Sequence, residues 1–203
     1  VQGFGAVGKH TAQFLGEQGA VLVGASDSSG TISHPDGLDI GALLDLNTSG
    51  GSLIDHDGGE KQDREAVLDI DCDIWIPAAR PDVLRADNIS RLKTRMVVQG
   101  ANIPVSAEAE RYLHRQGILN IPDFVANAGG VISAAMEYRG ASESAVFPAV
   151  EEKLTRNTGQ VLDLALSRQI EPRQAAMEIA RERVRKAMAV RRWSTFSSAP
   201  KFV

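Results

Sequence analysis

Gly3-Phe4-Gly5-Ala6-Val7-Gly8 is the feature that most narrows what this chain can become. It reads G-x-G-x-x-G and joins a short apolar start, Val1–Gln2, to a segment of helical spacing from Ala6 to Gln18. Val1–Gln2 is read as the end of a strand cut short. In such a turn two glycines let the backbone bend and approach a pyrophosphate, while the third lets the helix lie close to the sheet. The free N–H groups and positive dipole end of the helix then face the anion. Phe4, Ala6 and Val7, inside the loop, are counted among its expected cofactor contacts, with Phe4 and Trp75 also expected in the core. The next apolar run, Ala20–Ala25, leads to Asp27, 19 residues after Gly8, where a ribose-binding carboxylate is expected. A carboxylate there accepts from both ribose hydroxyls and repels a 2′-phosphate, and no arginine lies within Ser26–Ser33 to receive one. NAD is therefore favoured, while Ser28 and Ser29 leave NADP open. The alternative for Asp27 is a turn residue holding an Asx-type bond.

Downstream, short apolar runs alternate with helical patterns, as in strand–helix–strand units. Strands are predicted at Ala20–Ala25, Cys72–Pro77, Arg95–Gln99 and Ile118–Pro122, with a helix between the second and third. Further helices are predicted at Leu38–Leu46, Arg64–Leu68, Ser106–Gln116 and Val125–Tyr138, with Asn47–Gly51 as loop. Ser106 and Gly117 mark both ends of the third, and Gly129–Gly130 interrupts the last. From Glu143 the pattern becomes two long amphipathic helices, Glu143–Arg168 and Pro172–Arg192. The expectation is an α/β, Rossmann-type, doubly wound and mostly parallel sheet over residues 1–142, with a helical extension over 143–203.

Charge and composition exclude several classes. Residues 1–150 carry 11 basic and 20 acidic side chains, and residues 151–203 carry 11 and 6, which together give the net charge of −4. An acidic body lacks the basic face that nucleic-acid binding requires. The longest uncharged stretch, Phe124–Met136, is 13 residues, whereas a membrane-spanning helix takes about 20 apolar ones. The single cysteine, Cys72, cannot form an internal disulfide and reads as a small buried residue, and with four scattered histidines it gives no metal-site spacing. No export signal is read at the start, and a cytoplasmic location is expected.

Three later segments sharpen the reading. They are Pro77-Ala78-Ala79, Gly100-Ala101-Asn102-Ile103-Pro104 and the run P-D-F-V-A-N-A-G-G-V from Pro122 to Val131. Together with Ser26–Gly30 and the glycine loop, they resemble the cofactor-binding half of the glutamate/leucine/phenylalanine/valine dehydrogenases over residues 1–140. That resemblance implies reversible oxidative deamination of an amino acid to a 2-oxo acid with a nicotinamide cofactor. It implies Gly3, Gly5 and Gly8 under the pyrophosphate, Asp27 at the adenosine ribose, and Ala78 and Ala79 along the groove, with Ser28 counted as a further cofactor contact able to hydrogen-bond a phosphate. Asn102 and Asn127 would lie near the nicotinamide, where an amide can both donate and accept. The plainer alternative is that both asparagines brace turns. Val131 and Ala134 are implied in the substrate pocket, and Ala134 offers no hydroxyl to the distal carboxylate of glutamate. An apolar substrate is therefore expected, unless Ser133 is recruited. Gln99 stands where many relatives carry glutamate, and no function is attached to it.

The family's catalytic lysines and aspartate belong to a lobe that precedes this fold. Of the six lysines here, Lys9, Lys61, Lys93, Lys153, Lys186 and Lys201, none has the glycine-rich setting of the catalytic one. No catalytic residue is assigned within the chain, which reads as the cofactor domain of an enzyme expected to be a homo-oligomer. Arg181, Arg183, Arg185, Lys186, Arg191 and Arg192 read as a docking surface for an acidic substrate lobe. The alternative to the enzyme reading is a non-catalytic dinucleotide-binding or assembly module.

Overall fold

Gln2 lies between two sheets in the computed structural model, which describes residues 1–189. It bridges in parallel to Ser26 on one side and to Pro77 on the other. The first neighbour belongs to an antiparallel sheet of β1 (Gly24–Ser26), β2 (Thr31–Ser33) and β3 (Glu60–Gln62), in that order. The second leads into a parallel sheet of β4 (Cys72–Trp75), β5 (Thr94–Val98) and β6 (Leu119–Ile121). The order across both is thus β3-β2-β1-Gln2-β4-β5-β6, an α/β architecture with a parallel sheet. Parallel neighbours need a crossover. α1 (Ala6–Glu17) provides it between Gln2 and β1, and α3 (Ala107–Arg115) provides it between β5 and β6.

Local chemistry explains where the elements depart from the sequence pattern. The helix expected between β4 and β5 is replaced by a single 3-10 turn, Ile89–Arg91. The Asn88 side chain accepts from the Arg85 N–H (2.8 Å) and donates to the Val83 carbonyl (2.9 Å), taking main-chain groups that a helix would pair. β2 and β3 were not foreseen: each has three residues, and β3 is polar and largely exposed, so its partner strand rather than its pattern defines it. α2 (Ile40–Thr48) starts after Leu38 because Asp39 is its cap, accepting from the Ala42 N–H, and it absorbs Asn47 and Thr48 from the expected loop. β1 keeps only the end of the expected strand. The segment 123–138 forms α4 (Asp123–Ala126) and α5 (Gly129–Tyr138), broken near the glycine pair.

Two apolar clusters stabilise this part. One gathers Trp75, Leu84, Val97, Val105 and Leu113, with the Trp75 indole donating to the Val67 carbonyl (3.0 Å). The other gathers Phe4, Ala25, Ile32, Leu43 and Leu53. Beside the first, Gln99 is fully buried, and its amide donates to Glu110 (2.7 Å) and to Asn120 (2.9 Å), whose own amide donates to Glu110 (3.3 Å). This trio ties the end of β5 to α3 and β6.

Compactness divides the chain into Val1–Thr158 and the residues from Gly159 onward, within α6 (Glu143–Arg168). In the second unit α7 (Pro172–Ala189) opens on Pro172, and Arg168 donates to Glu178 (2.7 Å). Arg191 and Arg192 of the expected basic stretch lie outside the described residues. No helix among the described residues is long and apolar enough to cross a membrane.

The buried trio gives the first prediction. Glu110→Ala removes an acceptor shared by two buried amides and should lower unfolding free energy in urea by about 2–3 kcal/mol. Glu110→Gln, which keeps an oxygen in place, should lose less.

Candidate functional site

Open parallel sheets bind ligands where strands end and topology reverses. Here that place is the carboxyl end of Gln2, where the glycine loop meets the segments after β4, β5 and β6. Gly100 shows the convergence: a Cβ on it would lie 3.3 Å from Val7 and 3.4 Å from the Pro77 carbonyl. A cavity of about 540 Å³ lined by Val1, Val21, Cys72 and Ile74 sits at the opposite, amino ends of β1 and β4. Its lining includes Ile40, the first residue of α2, but that helix start is already capped by Asp39, and none of the loop glycines lines the cavity, so it is not taken as the site.

The three glycines do different work. Gly3 has φ +94°, and a Cβ there would lie 2.6 Å from that of Ala79. A Cβ on Gly8 would lie 1.8 Å from the Gly3 carbonyl oxygen, so α1 can seat on the turn only with glycine. Gly5 has nothing within 4 Å of its Cβ position and is exposed, as are Ala6 and Val7. α1 also begins without a side-chain cap, which leaves its first-turn N–H groups for an anion. The Phe4 side chain is in the core, so only its main chain faces this loop. The cradle fits a diphosphate.

Asp27 is anchored within the protein. Its Oδ1 accepts from the N–H groups of Ser29 (2.7 Å) and Gly30 (3.2 Å). Its Oδ2 accepts from the Ser52 hydroxyl (2.9 Å) and the Leu53 N–H (2.8 Å). Burial pushes the carboxyl up, but the bonds from Leu53, Ser29, Ser52 and Gly30 outweigh it and hold it below its ordinary value. The Asx turn is therefore present, and a ribose would have to share oxygens that already hold the chain together. Ser28 and Ser29 are exposed beside it.

At the far end the structure brings Asn102 and Asn127 together across 25 positions of sequence. The Asn127 amide donates to Asn102 Oδ1 (2.8 Å) and, at longer range, to the Gly100 and Ala101 carbonyls (3.4 Å each). Asn102 is exposed, and Ala78 is half-buried nearby in sequence from exposed Ala79. The asparagines therefore brace a turn, with Asn102 exposed and Asn127 half-buried.

Ile103, beside Asn102, has φ +49°. It is β-branched and precedes Pro104, and both properties favour extended backbone. Its N–H donates to Oδ2 of buried Asp123 (2.9 Å), and its carbonyl accepts from the Asp82 N–H (3.0 Å). A strained residue of this kind costs about 1–3 kcal/mol, and the two hydrogen bonds on Ile103 contribute about 0.5–1.5 kcal/mol each. The two are matched. Asp123 lies in the P-D-F-V run of the sequence reading, but nothing there distinguished its role.

Val131 and Ala134 are exposed and lie three apart on α5, on one face. Ser133 is turned away, donating to Glu137 (3.3 Å). Burial pushes the Cys72 thiol up, which opposes any nucleophilic role.

Comparisons with known proteins show the family to which the chain belongs. The model of the Glutamate/Leucine/Phenylalanine/Valine dehydrogenase family matches residues 1–192. The chain is 36% identical over 204 residues to a glutamate dehydrogenase of Aeropyrum pernix, covering 95% of this chain and 49% of that protein. It is 39% identical over 153 residues to an NADP-specific glutamate dehydrogenase of Saccharolobus shibatae, covering 75% and 36%. It is 37% identical over 200 residues to an NAD-specific glutamate dehydrogenase of Staphylococcus aureus, covering 96% and 48%. The chain thus spans less than half the length of these relatives. Among solved structures it superposes on a hetero-hexameric glutamate dehydrogenase of Thermus thermophilus with TM-score 0.82 and 26% identity, covering 96% and 47%. An L-tryptophan dehydrogenase of Nostoc punctiforme gives 0.72 and 25%, covering 93% and 52%.

The loop and the turn give three predictions. Gly8→Ala should cost roughly 3 kcal/mol of stability or more, because a main-chain oxygen blocks the new methyl. Gly5→Ala should melt within a few degrees of the parent while losing affinity for a dinucleotide by calorimetry. For Asp27 the sign is set by its lowered folded-state value: the stability it adds is complete above its ordinary value of 3.8 and is lost as pH falls through the folded one. The stability gap between the parent and Asp27→Asn, measured by urea unfolding, should therefore narrow below about pH 4.

Proposed function

Because the chain belongs to the glutamate/leucine/phenylalanine/valine dehydrogenase family, we propose that it is the dinucleotide-binding part of an amino-acid dehydrogenase. Residues 1–142 are its cofactor domain, and a helical extension starts at residue 143. The observation that carries the reading is the open Gly5 cradle in front of uncapped α1, at the point where strand order reverses. Gly3, Gly5 and Gly8 hold the pyrophosphate, with main-chain groups of Phe4, Ala6 and Val7. Ala78 and Ala79 line the groove, and Asn102 and Asn127 orient the carboxamide or ribose of the nicotinamide half. When bound, the nicotinamide supplies a hydride acceptor for oxidation of a CH–NH₂ group. This chain binds and orients, and the lysine and carboxylate chemistry belongs to a substrate lobe.

Cofactor choice rests on Asp27 and Ser28. The Asp27 charge opposes a 2′-phosphate, which favours NAD. Its four internal donors draw that charge inward, and Ser28 and Ser29 offer hydroxyls, so NADP is the second cofactor. The substrate is an L-amino acid. The Val131–Ala134 wall gives a glutamate carboxylate no partner, which favours an apolar side chain. The names of the curated relatives favour glutamate, and comparing kcat/KM for leucine, phenylalanine and glutamate on a protein carrying both lobes decides between them. A homo-oligomer in the cytoplasm completes the proposal.

Calorimetric titration tests it. NAD should bind the parent, and Asp27→Ala should weaken it about tenfold, the size of one lost charge-assisted bond. Unchanged affinity would remove Asp27 from the site. Amino-acid-dependent NAD reduction by this chain alone should stay at background, since general acid–base help is worth roughly 10²–10⁴-fold. Robust turnover would overturn the division of labour between lobes. Binding without turnover in a two-lobe protein would instead favour the non-catalytic module.

A further inference from the structure

We propose that Asp123 is a positioning residue for Asn102, acting through the main chain of Ile103. The proposal rests on the reading above that Asn102 meets the nicotinamide half of the cofactor. Asp123 is buried at the start of α4, and its Oδ2 accepts the Ile103 N–H at 2.9 Å. Ile103 holds a left-handed backbone (φ +49°) although its side chain is 62% exposed. No packing of that side chain accounts for the conformation. A β-branched residue before proline relaxes to extended backbone when nothing restrains it.

The restraint comes from both sides of the residue. The Asp123 carboxylate holds its N–H, and the Asp82 N–H holds its carbonyl at 3.0 Å. Asp82 is itself left-handed (φ 53°), a conformation aspartate adopts readily. The next residue continues the tie, because the Pro104 carbonyl accepts from Val83 (2.8 Å) and Leu84 (2.9 Å). Asn102 is bonded to Ile103 through one peptide unit, so a change of φ at Ile103 re-aims that unit and the Asn102 side chain with it. The 2.8 Å contact between Asn102 and Asn127 then fails. An aspartate suits this role, since its carboxyl oxygen is an acceptor on a short side chain that reaches the Ile103 N–H.

The experiment is an NAD titration of the full chain and a set of variants, with side-chain amide NMR of Asn102 and Asn127. Asp123→Ala should raise the NAD Kd about tenfold and abolish the Asn102–Asn127 contact in NMR. Asp123→Asn, whose Oδ1 still accepts, should restore most of both. Ile103→Asn in the Asp123→Ala background should also restore most of both, because asparagine enters the left-handed region far more easily than isoleucine. A purely structural role for Asp123 would show no such rescue. If Asp123→Ala does not fold, Asp123→Ser, too short to hold the N–H, takes its place. An unchanged Asn102–Asn127 contact, or a double variant as impaired as Asp123→Ala, would overturn the proposal. Asn102→Ala separates the two readings: if it binds NAD as the parent does, the cofactor role of Asn102 fails, and the NMR arm still decides whether Asp123 positions it.

Discussion

Four main-chain hydrogen bonds around Gln2 hold the rest of the first unit in register. Gln2 donates to Ile76 (2.8 Å) and accepts from Ala78 (2.7 Å), while Gly3 donates to Ser26 (2.9 Å) and Ser26 to Val1 (3.1 Å). Through them an antiparallel sheet and a parallel sheet share one short segment. The chain leaves that segment through α1 toward β1 and returns much later to the other side at β4. Among the described residues nothing lies within 4 Å of the Cβ position at Gly5, so the glycine loop is left facing an open cleft. Gly8 then brings α1 down onto the Gly3 carbonyl, which aims the helix N-terminus into the same cleft. Remove the ladder and the loop has no floor.

Two carboxylates carry much of the remaining order around this cleft, and both do so by accepting main-chain N–H groups. Asp27 joins the turn after β1 to Ser52 and Leu53. Asp123 joins the start of α4 to the loop after β5. In both places the bond spans more than 19 residues of chain or fixes a turn that the local sequence does not hold alone. Loops with no regular ladder of their own must place their N–H groups somewhere, and an ionised side chain is a strong local acceptor. The same charge that could meet a ribose at Asp27 is thus already partly used in building the surface that would present it.

The sequence was most informative where chemistry is local. α3 runs from its Ser106 cap to Gly117 (φ +70°) as expected, because each of these residues acts on its own backbone. The helix break near Gly129–Gly130 and the long run Glu143–Arg168 were legible for the same reason. The helix expected before β5 failed because Asn88 bonds the backbone of its own loop, an effect that apolar spacing does not register. β3, E-K-Q, carries no strand signal, since an edge strand owes its form to the neighbour that pairs with it.

The candidate site divides in the same way. The chain's own residues determined the glycine turn, the acid at Asp27 and the two asparagine motifs, because a φ that suits glycine, a spacing and a side-chain type are properties of short segments. Only the tertiary structure decided that Gln2 joins two sheets, that Asn102 and Asn127 touch, that Asp27 spends its oxygens on Ser52 and Leu53, and that Asp123 restrains Ile103. Each of these is a hydrogen bond between segments distant in sequence. Its existence depends on where the folded chain places a donor within about 3 Å of an acceptor, and no single segment contains that information.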